Sequence, residues 1–284
     1  MKIIDCPRDA MQGIHEFIPT EKKSKYINQL LKVGFDTIDF GSFVSPKAIP
    51  QLRDTVDVIS QLDLSSTKSK LLAIVANTRG AKEAAEFDEI TYLGFPFSIS
   101  ETFQQRNTNK SIVEALNTLN EIQEICVKKD KVLVSYISMG FGNPYDDPFD
   151  VEIVGKFTGI LSSMGISIIS LADTIGVSDK ENITYLYSNL IKDFPKVEFG
   201  AHLHSNPNTA LDKIKAAYEA GCRRFDGAIR GFGGCPMAKD DLVGNIATEM
   251  IVSYLSAKSE DLGLDQLQLD NSVMASSAIF DQYH

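Results

Sequence analysis

Residues 197–207 read Val-Glu-Phe-Gly-Ala-His-Leu-His-Ser-Asn-Pro. An apolar run closes on two histidines. Asn206 then offers an N-cap, and Pro207 has the fixed φ that suits a first helical position. The helical pattern that follows stops at Gly221, and a new apolar run starts at Arg224. The unit is strand, helix, glycine, strand. A glycine also ends a helix just before a strand at Gly34 and Gly165, where freedom to adopt positive φ closes the last turn.

Extended outward, the unit fills the chain. Runs with strand character lie at 2–6, 37–41, 70–76, 89–95, 131–139, 166–172, 197–203 and 224–229. Helical patterns lie between them, the longest over 110–128 with Ile112, Leu116, Leu119, Ile122 and Ile125 on one stripe. Eight βα units without a linker predict an α/β fold, a (β/α)8 TIM barrel. It is expected to form a single catalytic domain over 1–284, with 258–284 as an additional C-terminal helical segment at its edge. An open doubly wound sheet would carry a glycine-rich phosphate turn after its first strand, and Pro7-Arg-Asp-Ala-Met-Gln-Gly13 is not one. Locally, Arg8 and Asp9 are expected in a loop and Ser178 to Glu181 as a capping box. Pro96 should end the fourth strand, because it cannot donate to a ladder. The last barrel helix should start at Gly244.

The net charge of −10 argues against a nucleic-acid footprint and against anionic membranes, so neither partner is expected. An anionic substrate then needs local cations or a metal. Cys6, Cys126, Cys222 and Cys235 lack metal-site spacing and read as free thiols of a reducing cytoplasm. The opening Met-Lys-Ile-Ile-Asp has no secretory apolar region, and no apolar run reaches membrane-spanning length. A soluble cytoplasmic protein is expected.

On a strand, His202 and His204 share a face with Cα atoms about 6–7 Å apart, close enough to serve one metal ion. Alone, the pair reads more readily as two polar residues at a strand end. A barrel changes that, because its active site lies at the C-terminal ends of the strands. Those ends carry Arg8, Asp9, Asp39, Ser42, Asp173, His202 and His204, then the loop Gly231-Phe-Gly-Gly-Cys-Pro236 and Asn245. Closure sets strands one, seven and eight side by side. Asp9, His202, His204 and Asn245 then make an oxygen-and-nitrogen site that suits Mg2+ or Mn2+ better than zinc, since no thiolate stands at ligand spacing.

These residues form a pattern that resembles the DRE-TIM metallolyases, and among them the hydroxymethylglutaryl-CoA lyase family, over nearly the whole chain. The markers are Pro-Arg-Asp at 7–9, SFVSPK at 42–47, LADTIGV at 171–177, the His-x-His, and GFGGCPMAK at 231–239. The resemblance implies a metal-dependent carbon–carbon lyase cleaving 3-hydroxy-3-methylglutaryl-CoA to acetyl-CoA and acetoacetate. It also implies an acyl-CoA partner, a homodimer and a place in leucine degradation. Asp9, His202, His204 and Asn245 would hold the divalent ion, and Arg8 would sit beside the thioester carbonyl. Asp39 and Asp173 would support acid–base work, with His202 catalytic as well as metal-binding. Cys235 would be the loop thiol near the reacting carbon, and Gln12, Ser42, Lys47 and Lys239 would meet the substrate.

Four departures from the family pattern stand out. Ile4 occupies the place of a glutamate, Ala10-Met11 replaces Gly-Leu, and Ser205 replaces the aspartate after His-x-His. The segment between Cys235 and Asn245 is one residue longer, with Asp240 and Asp241 in it. These leave the metal set whole and bear on which acyl-CoA is used. Two other readings compete: a condensing acyltransferase of the isopropylmalate synthase type, which the GGCP loop disfavours, and a non-catalytic acyl-CoA-binding barrel.

Overall fold

A computed structural model describes residues 1–234 and 243–283. Cys235 and Lys239 therefore lie outside the described residues, as does His284. Eight parallel strands close in sequence order: β1 (Lys2–Asp5), β2 (Thr37–Ser42), β3 (Lys70–Ile74), β4 (Ile90–Ser98), β5 (Val132–Ser138), β6 (Ile168–Asp173), β7 (Glu198–Leu203) and β8 (Arg224–Gly227). Around them run α1 (Pro7–Gln12), α2 (Thr20–Leu31), α3 (Thr55–Ile59), α4 (Thr78–Ala84), α5 (Glu101–Thr108) and α6 (Ile112–Lys128). The remaining helices are α7 (Val151–Ser163), α8 (Lys180–Asp193), α9 (Pro207–Glu219), α10 (Thr248–Ala257) and α11 (Gln266–Phe280). The fold is the TIM barrel that the repeated unit predicts.

Register decides where the chemistry sits. The seam pairs β1 with β8 from Lys2↔Arg224 to Asp5↔Gly227. Across it, Ala172, His202, Asp226, Ile4 and Thr37 form one row, and partners in a parallel ladder share a face. That row points inward. On β3 to β6 the interior is apolar, a cluster of Leu72, Ile74, Tyr92, Val134, Tyr136 and Ile168 separate from the main core. On β7, β8, β1 and β2 it is largely polar. Ile4, in the family's glutamate position, is buried between Asp226 and Thr37 on this polar side.

Four local expectations are corrected. Arg8 and Asp9 lie on a helix, α1, with Pro7 in its first turn, where a missing N–H costs nothing. β4 runs through Pro96. Gly94 O accepts from Val75 N, so the backbone of residue 94, and of 96 two positions on, faces β3. That strand ends at Ile74, and proline removes no ladder bond there. The cap of α8 is one residue later than expected, an Asp179–Asn182 box. The last barrel helix starts at Thr248, not Gly244, which frees Asn245 to bridge to His204.

The C-terminal helix α11 packs on α2, with Phe280 edge-on to Tyr26 (5.9 Å) and stacked on Phe232 (4.4 Å). Among the described residues no helix is long and apolar enough to cross a membrane.

Asp5 faces away from the barrel axis, where Thr248 Oγ1 donates to its Oδ1 at 2.6 Å. Burial pushes its carboxyl up to about 7, against that hydrogen bond. Its folded pKa thus lies above its unfolded one. The stability it contributes is complete below about pH 4 and is lost as pH rises through about 7, a change of about 4 kcal/mol. Asp5→Asn should therefore gain over the parent as pH rises. Urea unfolding of both proteins at about pH 5 and about pH 8 checks this; a gap independent of pH would contradict it.

Candidate metal-centred active site

One helical turn assembles the first part of the site. Gln12 follows Arg8 by four residues and Asp9 by three, so all three share a face of α1. Arg8 Nη1 donates to Gln12 Oε1 (2.8 Å) and Asp9 Oδ1 (3.1 Å), and Gln12 Nε2 donates to Asp9 Oδ1 (2.7 Å). From β2, Asp39 takes Arg8 Nε at 3.1 Å and Nη2 at 2.5 Å on the same Oδ2. Burial works against the guanidinium charge, and Asp39 and Asp9 more than offset it, so Arg8 stays charged throughout the working range.

The second part comes from the other end of the chain. His202 and His204 bring their Nε2 atoms to 3.3 Å of each other. With an Asp9 oxygen, ring nitrogens of both lie within a 4.8 Å group able to hold a metal ion. Asn245 Nδ2 donates to Asp9 Oδ2 (2.6 Å) and to Phe232 O (2.9 Å), which leaves its Oδ1 for an ion. Gly233 holds the loop against this group. Its φ is +99°, and a Cβ would meet Asp9 O at 2.8 Å and Asn245 Nδ2 at 2.7 Å, so only glycine fits.

The charges suit a cation. Burial raises the Asp9 carboxyl, and Arg8, His202 and His204 overcome this and hold it below its ordinary value. Burial and the neighbouring His202 push His204 down to about 4, leaving a neutral ring with a lone pair to give. Burial pulls His202 down too, but the hydrogen bond and charge of Asp226, with Asp9, leave it raised. Arg8, Asp9, Gln12, Ser42, His202 and His204 line one cavity, whose other wall includes Ile49, Ile74, Phe103 and Tyr136.

The structure does not bring every expected residue there. Asp39 has both oxygens on Arg8, so it anchors the guanidinium and stands outside the cavity lining. Asp173 is also engaged away from that lining. Its Oδ1 accepts from Val177 N, and its Oδ2 from Ser178 and from Lys213 Nζ (2.7 Å). Lys47 is exposed and lies off the cavity. Ser205 lies past the end of β7, its hydroxyl bonded to Asn206 O and Thr209 at the start of α9. The aspartate-to-serine departure therefore alters a helix entry, not the metal group.

Two residues that the sequence reading missed hold the histidines. Lys213, fully buried on α9, donates to Asp173, Gly176 O and His204 O (2.8 Å), tying the end of β7 to the β6 loop. Asp226 accepts from His202 Nδ1 at 3.2 Å. Lys213→Met should destabilise the fold by about 3–5 kcal/mol, because Asp173 is left charged, buried and without its cation. Adding Asp173→Asn should recover part of that loss in urea unfolding, and a Lys213→Met midpoint equal to the parent's would show that the pair carries nothing.

Comparison with known proteins matches this arrangement. The HMGL-like family profile covers residues 1–274. The chain is 37% identical over 249 residues to the hydroxymethylglutaryl-CoA lyase of Bacillus subtilis, spanning 88% of this chain and 82% of that protein. It is 31% identical over 259 residues to a 3-hydroxy-3-isohexenylglutaryl-CoA/hydroxymethylglutaryl-CoA lyase of Pseudomonas aeruginosa, spanning 91% and 85%. The structure of an HMG-CoA lyase from Acinetobacter baumannii in complex with coenzyme A and 3-methylmalate superposes with a TM-score of 0.90 at 30% identity, over 98% of this chain and 90% of that one. With this coverage, and with Asp9, His202 and His204 gathered to hold a divalent metal, the chain belongs to the HMGL-like family of metal-dependent carbon–carbon lyases.

Proposed function

We propose that this chain cleaves 3-hydroxy-3-methylglutaryl-CoA to acetyl-CoA and acetoacetate. The observation that carries the proposal is the meeting of Arg8 and Asp9 with His202 and His204 in one cavity. A retro-Claisen cleavage asks for this set. A tertiary hydroxyl loses its proton, the C2–C3 bond breaks, and the thioester enolate that forms is protonated. Asp9, His202 and His204, with Asn245 through Oδ1, would hold Mg2+ or Mn2+. Such an ion, when bound, supplies Lewis acidity at the substrate hydroxyl. Arg8 keeps a fixed positive charge on the cavity wall and stabilises the growing negative charge on the enolate oxygen. Asp39 orients it. Cys235, two residues beyond Gly233 in the sequence, is the proposed proton carrier, and His202 acts through the metal group. Gln12 and Ser42 meet the acyl group.

The test is acetoacetate release from 3-hydroxy-3-methylglutaryl-CoA with Mg2+ or Mn2+, against the same protein in EDTA. CoA release that needs an α-keto acid and yields no acetoacetate would overturn the proposal in favour of a condensing enzyme. The apolar wall of Ile49, Ile74 and Phe103 favours one second reading, a longer branched acyl group such as the one in the name of the Pseudomonas relative. The kcat/KM ratio for the two thioesters decides between them. The same reading expects a cytoplasmic homodimer acting in leucine breakdown, and light scattering of the purified protein measures the oligomer.

A further inference from the structure

We infer that Asp226 is the positioning residue that sets the tautomer of His202 and so prepares the metal site. The inference rests on the metal reading of Asp9, His202 and His204. Asp226 lies beside His202 in the β7–β8 register and outside the cavity wall. It is 3% exposed, and His202 is the one side-chain partner it has among the described residues. Its other oxygen, Oδ1, is buried without a partner. A buried carboxylate so poorly satisfied is costly to the fold, and its single contact is to a ring whose far nitrogen faces the metal group.

Geometry settles what that contact does. A carboxylate only accepts, so His202 Nδ1, 3.2 Å from Asp226 Oδ2, carries the hydrogen. The neutral ring then has its lone pair on Nε2, the atom 3.3 Å from His204 Nε2. Two N–H groups cannot face each other at that separation, and an ion shared by both rings needs both lone pairs. Tyr136 packs edge-on against the His202 ring at 5.5 Å and helps fix its plane. The structure also gathers Cys6, His202 and Asp226 within 4.8 Å. That second group lies on the Nδ1 side of the ring, which Asp226 already occupies.

Asp226→Asn keeps the shape and allows an amide N–H to point at Nδ1, which favours the wrong tautomer. In the folded variant, Mn2+ affinity by calorimetry should fall about 10–100-fold, while Cys6→Ser should leave it unchanged. Long-range 1H–15N spectra of the metal-free parent, followed upward in pH until the ring signals stop titrating, should show His202 protonated on Nδ1; in Asp226→Asn the proton should move toward Nε2. Unchanged Mn2+ affinity in a folded Asp226→Asn overturns the inference, as does a loss confined to Cys6→Ser. If the variant does not fold, the parent spectrum decides, and a bare Nδ1 there overturns it. Absence of Mn2+ binding by the parent itself would instead remove the metal reading on which the inference stands.

Discussion

Arg8→Gln is expected to lower turnover of 3-hydroxy-3-methylglutaryl-CoA by about 10³-fold or more. Arg8 is the one basic side chain with a fixed charge on the cavity wall among the described residues. Removing a single preorganised donor at a developing oxyanion costs about 10²–10³ in rate, and here a full charge goes with it. The substitution has a second effect, which must be separated from the first. Asp39, 1% exposed at its side chain, would lose its partner, and breaking a buried pair costs about 3–5 kcal/mol. The double variant Arg8→Gln/Asp39→Asn removes the stranded charge. Its urea midpoint should recover while its kcat does not. Near-normal turnover in either variant would take the enolate-stabilising role away from Arg8.

His204→Ala should cost the site its metal, with affinity down by more than the roughly 100-fold ceiling for outer-shell changes. The lost donor is a neutral imidazole whose pKa of about 4 keeps it free of protons at working pH. In the parent, acid should weaken Mn2+ binding first through His202, whose proton is held more tightly than usual, and through His204 only near pH 4. Calorimetric titration of both proteins measures this. Parent-like affinity in a folded His204→Ala would show that the ion, if one binds, uses another set of ligands.

The barrel was legible because its signals are local. Glycine-closed helices before buried strands at 34, 165 and 221 repeat a unit that has few other homes. The histidine pair was legible by spacing, and its convergence with Asp9 by the closing rule of barrels. What escaped depends on who stands next to whom. Asp39 and Asp173 are carboxylates on apolar strands, and a sequence cannot show that Arg8 and Lys213 occupy their oxygens. Asp226 sits in an unremarked Arg-Phe-Asp-Gly run, and only the β7–β8 register puts it on His202. Lys213 reads as a polar position of α9, yet it is buried because its ammonium meets three oxygens at once. Pro96 is a case of the same kind, since whether a proline interrupts a strand depends on how far its neighbour extends.

The contact between Asp9 and Asn245 joins residues 236 positions apart, across the β1–β8 seam. A ribosome delivers Asp9 long before the histidines and Asn245, which is 236 positions further on. An ion therefore has no complete set of donors to organise until the last strand is made, and it cannot template the early fold. It binds the shut barrel and not the open chain, so it adds RT ln(1 + [M]/Kd) to stability only after closure. Its place in the life of the chain is that of a clasp, fastened last, and the first event in unfolding a loaded molecule should be its release.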